Sequence, residues 1–198
     1  MPIIPNREYR ALPLMVPNQQ KRIESDFYVE GYATTFNDPY MLYEYDGVKY
    51  YETIDRHALD NADMSDVIMQ YDHTGKVLAR KSNGTLIIEP NESGLFICAD
   101  LSKSPSAKEM YEEINEGLVT KMSWAFTVAE EKYDRDTRTR TILKIKKVYD
   151  VSAVSIPAND DTKINARSFF DGEIEKEKQE LLERRRKALK LQIELEEI

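Results

Sequence analysis

Few residues in this chain can run acid–base chemistry near neutral pH: among 198 residues there are two histidines, His57 and His73, and one cysteine, Cys98. An imidazole exchanges its proton in that range, which makes histidine the usual base. His73 follows a compact apolar run, Val67–Tyr71, and precedes Gly75. Catalytic groups commonly occupy such strand-to-loop edges, and a plain turn histidine suits the position as well. His57 lies within IDRHALD (54–60), a stretch with helical spacing, where an exposed structural role is the simpler reading. Cys98 alternates within LFICADL (95–101) and reads as a small core hydrophobe. Ser123 stands in KMSWAF (121–126), a single hydroxyl within an apolar strand. If buried, it needs a partner, which is either a neighbouring strand's backbone or a catalytic base.

A carboxylate is available to orient the histidine. If Ser123 and Asp150 flank one hairpin, the midpoint between them falls at Asp136-Thr137, in a predicted turn. The two side chains then share a face on adjacent strands. His73, arriving from a third segment, completes the order hydroxyl, imidazole, carboxylate. A register slip of two residues would substitute Ser152 or Val148 for Asp150. Other chemistries lack a foothold. Two histidines and one cysteine make no zinc constellation, and no GxSxG, P-loop or GxGxxG occurs. Asp160-Asp161 beside Asn159 would attract a cation, but without EF-hand spacing. No cofactor or metal is expected.

The elements that must position these groups can be read in outline. The residues are 41% hydrophobic, enough for one domain with a real core. A formal charge of −8 argues against nucleic-acid binding, and the cluster Arg184–Lys187 is enclosed by glutamates as a solvated helix face. A lone cysteine excludes an intramolecular disulfide. The N-terminal MPIIPNREYR lacks a signal peptide's apolar core, and no apolar run is long enough for a membrane span. A cytosol-type protein is expected.

Strands are predicted around Glu8–Val16, over Phe27–Phe36, in a hairpin at Tyr40–Tyr51 about Asp46-Gly47, and at Val67–Tyr71. A further hairpin spans Gly84–Leu101, and two long strands cover Leu118–Lys132 and Arg140–Ile156. A short helix is predicted at Thr53–Ala62. A clearer one follows Pro105, with Ser106 and Glu109 as a capping box and Gly117 at its end. Strands outnumber helices without βαβ alternation, which predicts an antiparallel, β-rich α+β domain. From Glu173 onward the chain has no Gly or Pro, and Ile174, Leu181, Ala188 and Leu195 recur every seventh residue, with Leu182 and Leu189 alongside. This is an amphipathic helix in need of a partner, its own copy or the domain. A boundary near Phe170–Gly172 divides a domain at 1–170 from a helical tail at 171–198.

Six blocks together carry a resemblance. They are YVEGYATTF (28–36), YETIDRHAL (51–59), VIMQYDHTGKVLAR (67–80), GTLIIEPNESGLFICADL (84–101), INEGLVTKMSWAF (114–126) and VYDVSAVSIPAND (148–160). In order and spacing the set resembles the caudoviral prohead (capsid-maturation) protease family over about residues 7–167. The resemblance implies a serine endopeptidase with a herpesvirus-assemblin-like antiparallel β-barrel and flanking helices. It would act inside the immature capsid, in the host cytoplasm, on scaffold or on the scaffolding segment of the major capsid protein, and often on itself. The family's histidine falls on His73 and its serine on Ser123. Its acidic position, usually Glu, falls on Asp150. Thr74 stands where many members are acidic, and Ala79-Arg80 where Gly-Arg is usual; Arg80 is a candidate supporting group for an oxyanion. The related herpesvirus enzymes use a second histidine as third member, a role not assigned here to His57. The rival reading is an inactive protease-like domain serving as scaffold or assembly hub through its tail.

Overall fold

A computed structural model describes residues 7–15, 21–155 and 162–196. In chain order the strands are β1 (Glu8–Met15), β2 (Tyr28–Thr35), β3 (Tyr40–Tyr45), β4 (Val48–Ile54), β5 (Ile68–Tyr71), β6 (Val77–Arg80), β7 (Leu86–Pro90) and β8 (Gly94–Asp100). Helix α1 (Pro105–Asn115), strands β9 (Lys121–Asp134) and β10 (Thr139–Val154), and helix α2 (Thr162–Glu196) follow. The strands are ordered β3-β4-β10-β9-β1-β2-β8-β7, with β5 also on β10 and β6 on β5. The architecture is therefore β-rich α+β.

Two features differ from the expected antiparallel barrel. The end strands β3 and β7 do not pair, so no barrel closes among the described residues. The sheet is also mixed, because β10 takes β4 and β5 in parallel on one edge while β9 runs antiparallel along the other. Between β4 and β5 the edge is occupied by the connecting loop. Asp55 N donates to Ile142 O, Ile145 N to Ala58 O, and Val148 N to Asp63 O, at 2.8–3.0 Å. The backbone groups of β10 that no strand reaches there are thus satisfied.

That loop is where a helix was expected at Thr53–Ala62. Thr53 and Ile54 instead belong to β4, and the remainder forms successive four-residue turns, such as Ala58 N to Asp55 O and Ala62 N to Leu59 O. The apolar spacing there serves burial, since Ala58 and Leu59 enter the core. Helix α1 begins two residues earlier than the capping-box pattern suggests. Ser104 is its N-cap, accepting from Ala107 N at 3.2 Å, with Pro105 at the first helical position. In the β7–β8 hairpin, Gly94 is required by contact: a Cβ there would lie 2.0 Å from Thr34 O.

A charged layer crosses the core-facing side of the sheet. Arg10 clamps Glu52 with two bonds of 2.6 Å and reaches Glu8 at 2.7 Å. Arg140 donates to both oxygens of Glu8 at 2.7 and 2.8 Å, sharing Oε2 with Arg10, and to Glu52 at 2.9 Å and Glu131 at 2.8 Å. Tyr40 donates to Glu52. Burial alone would raise the Glu8 carboxyl, but Arg10 and Arg140 outweigh it and hold the group down at about 2. Its contribution to stability is therefore complete above the ordinary carboxylate range and is lost as pH falls toward that value. Glu52 has no exposed surface and its charge is shared by Arg10 and Arg140, so Glu52→Gln should leave the two buried guanidinium groups with too little opposing charge and cost about 3–5 kcal/mol. Denaturant unfolding checks this; a loss below about 1 kcal/mol would mean that the arginines find other partners.

Helix α2 is continuous through the expected boundary at Phe170–Gly172. Phe170 is fully buried against Tyr50 and Tyr133, with Ile174 beside it, and Arg135 binds Glu180 through two bonds of 2.9 and 3.2 Å. Beyond Glu180 the helix leaves the domain, and Leu181, Leu182 and Leu189 are 57%, 51% and 59% exposed. The side chain of Leu195 lies outside the described residues, as do Asn159, Asp160 and Asp161.

Candidate active site

Alternation along β9 decides where Ser123 points. Met122, Trp124 and Phe126 enter the main core, with the Trp124 and Phe126 rings stacked at 4.1 Å, so Ser123 and Ala125 lie on the opposite face. That face is covered too, and Ser123 has no exposed surface.

The partner strand reaches this face by irregular means. The hairpin opens with Thr139 opposite Asp134, as a turn at Asp136-Thr137 requires. Register shifts then fall between Ile142 and Lys147 and again between Val148 and Asp150. As a result Ile142, Ile145, Val148 and Val151, at every third position, all face the core. The shifts also change the pair at the site. Ser152, not Asp150, stands directly opposite Ser123, while Asp150 pairs with Ala125. The regular register expected from the sequence is thus displaced by two residues. Asp150 and Ser152 nonetheless share the Ser123 face.

His73 arrives from the end of β5, which runs parallel to β10 with Tyr71 opposite Ala153. The turn that follows is strained: Asp72 and His73 both have left-handed backbones, at φ 46° and 58°. Several bonds hold it. Asp72 N donates to Ala153 O at 3.0 Å, and its carboxylate accepts from Ser155 N and Oγ. Thr74 N and Gly75 N both donate to Tyr71 O. Gly75 is needed there, because a Cβ would come within 2.9 Å of that oxygen. The turn aims the imidazole back over β10, where Nδ1 lies 2.5 Å from Asp150 Oδ1. Tyr9 packs edge-on against the ring, with centroids 4.6 Å apart.

Within this buried cluster two polar atoms have no hydrogen-bond partner among the described residues: Ser123 Oγ and His73 Nε2. An orphaned buried polar atom ordinarily costs about 1–3 kcal/mol, so two in one cluster call for an explanation. A hydroxyl and an imidazole nitrogen are the groups that exchange a proton when a serine is activated. Catalytic hydrogen bonds are often long without substrate.

Two neighbours were not legible as site residues. Ser152 donates to Asp150 Oδ1 at 2.7 Å, and Tyr9 walls the imidazole. The only signal for Ser152 was the register alternative; none pointed to Tyr9. The remaining candidates sit elsewhere. His57 is exposed, with Nδ1 3.0 Å from Asp60 Oδ2. Burial pushes the Cys98 thiol up, away from the reactive thiolate, among Tyr28 and Phe96. Arg80 pairs with Asp66. Among the described residues no group of three or more His, Cys, Asp or Glu is arranged to hold a metal ion. A cavity of about 250 Å³ flanks the histidine turn, lined by Tyr71, Gly75, Lys76 and Leu78 and, across from them, by Ser106, Glu109, Met110 and Glu113.

Compared with known proteins, residues 16–178 match a family model described as caudovirus prohead serine protease. The match runs through the last strand into α2 as far as Lys178, farther than the six sequence blocks reach. No curated protein and no solved structure matches the chain.

Proposed function

The chain belongs to the caudovirus prohead serine protease family, and we propose that within it Ser123 is the nucleophile of an active endopeptidase, His73 its general base and Asp150 the acid that orients the histidine. The observation that carries this reading is the buried cluster itself: Asp150 binds Nδ1 of His73, and Ser123 Oγ and His73 Nε2 are the two orphaned atoms beside it. In the reaction the Ser123 hydroxyl gives its proton to His73 Nε2 as Oγ attacks the scissile carbonyl. His73 returns the proton to the leaving amine, and water then releases the acyl group by the same relay. Asp150 keeps Nδ1 protonated and stabilises the imidazolium, a role suited to a carboxylate that already accepts two bonds.

A prohead protease works inside the immature capsid in the host cytoplasm. The substrates proposed are the scaffold protein or the scaffolding segment of the major capsid protein, together with the chain itself. Co-expression with a scaffold-bearing capsid protein tests this. Mass spectrometry should find new termini in the capsid protein with the wild type and none with Ser123→Ala. Intact capsid protein in both would leave only a protease-like assembly domain.

The exposed leucines of α2 support self-association through this helix, since Leu181, Leu182 and Leu189 have no cover from the domain among the described residues. A chain ending at Glu180 keeps Phe170, Ile174 and the Arg135 contact, and it should sediment as a folded monomer while the full chain sediments as a dimer. Equal sedimentation of the two would rule out this pairing.

A further inference from the structure

Resting on the catalytic reading above, we propose that Ser152 is a positioning residue for the proteolytic reaction, holding Asp150 in the rotamer that binds His73. Ser152 has no exposed surface and occupies the middle of three strands, opposite Ser123 on β9 and opposite Gln70 on β5. Its hydroxyl points along its own strand to Asp150 Oδ1, at 2.7 Å. That same oxygen receives His73 Nδ1 at 2.5 Å. The two donors therefore converge on one oxygen of a buried carboxylate.

The consequence follows from the torsions involved. The terminal torsion of an aspartate is broad, so one donor alone leaves the carboxylate free to swing. A second donor from the adjacent strand position fixes which oxygen faces the imidazole. It also draws charge from the carboxylate, since a hydrogen bond to an ionised acceptor stabilises the charged form. Ser152 therefore tempers how strongly Asp150 favours the imidazolium. A single hydroxyl proton committed to Asp150 is not shared with His73 Nε2, which separates Ser152 from the nucleophile although the two serines face each other.

The rate at which a fluorophosphonate probe labels the protein, measured against pH, tests this without a peptide substrate. Labelling breaks the P–F bond, forms a bond from phosphorus to Ser123 Oγ, passes the serine proton to His73 and releases fluoride. Ser152→Ala removes one oxygen and should slow labelling of Ser123 roughly 10- to 100-fold, the loss expected for one hydrogen bond to a charged group. Its acid limb should also move to higher pH, because a carboxylate with one donor fewer holds the imidazolium more strongly. Ser152→Thr keeps the hydroxyl and should restore the wild-type pH profile. A Ser152→Ala protein with wild-type rate and acid limb would overturn the positioning role while leaving the catalytic reading intact. Label found on Ser152 would overturn it as well. A wild-type protein that takes no label at any pH would instead remove the catalytic reading, and this proposal with it.

Discussion

Ser123→Ala is expected to lower proteolysis by about 10⁶ while leaving the protein as stable as before, or more so. The two halves of that result have one cause. Ser123 Oγ is buried without a hydrogen-bond partner among the described residues, so the fold draws no bond from it. Replacing an unsatisfied buried hydroxyl by a methyl group removes a desolvated polar atom and leaves Cβ to pack beside Ala125. A structural serine would behave in the opposite way: its loss would lower the melting temperature and leave turnover near normal. Thermal unfolding, paired with the mass-spectrometric assay of capsid-protein cleavage, therefore distinguishes the roles by sign. Residual cleavage within tenfold of wild type would sink the assignment of Ser123 as nucleophile.

How far the sequence discloses this arrangement depends on whether each feature is local. The β3–β4 hairpin is local, because Asp46-Gly47 supplies two adjacent left-handed positions that a tight hairpin turn needs. The face of Ser123 is local as well, since strict alternation of Met122, Trp124 and Phe126 leaves it no other side. The opposing residue is not. Alternation carried from the turn predicts Asp150 across from Ser123, and the irregularities in β10 put Ser152 there. Nothing in the composition of Ile142–Tyr149 marks those shifts except that apolar residues recur at every third position, a spacing that resembles helix more than strand. The charged layer was wholly hidden. Glu8, Arg10, Glu52 and Arg140 come from three separate strands, and each reads alone as an ordinary surface residue. The parallel pairing of β4 and β5 on one edge of β10 has the same character, because it is set by a loop running between them.

His73→Ala should abolish activity nearly as completely as loss of the serine, and His57→Ala should leave it within severalfold of wild type. The His57 side chain is exposed and engages only Asp60 among the described contacts, so its removal touches neither Ser123 nor Asp150. On the proposed catalytic reading His73 and Ser123 form one unit, so the double variant Ser123→Ala/His73→Ala should be no less active than either single variant. In the wild type, turnover should rise with pH as the imidazole gives up its proton and becomes able to accept the one from serine. The stability effect differs from that of Ser123→Ala. Removing the imidazole leaves the Asp150 carboxylate, 2% exposed, with Ser152 as its one remaining donor among the described contacts. A buried charge that loses a partner is costly, so His73→Ala should be destabilised by about 1–3 kcal/mol where Ser123→Ala is not. Adding Asp150→Ala to His73→Ala removes that stranded charge and should recover part of the loss without recovering any activity. Denaturant unfolding of the three proteins checks this. A His73→Ala protein as stable as wild type would mean that Asp150 does not depend on the histidine, and a His57→Ala protein as inactive as His73→Ala would make a two-histidine site the better model.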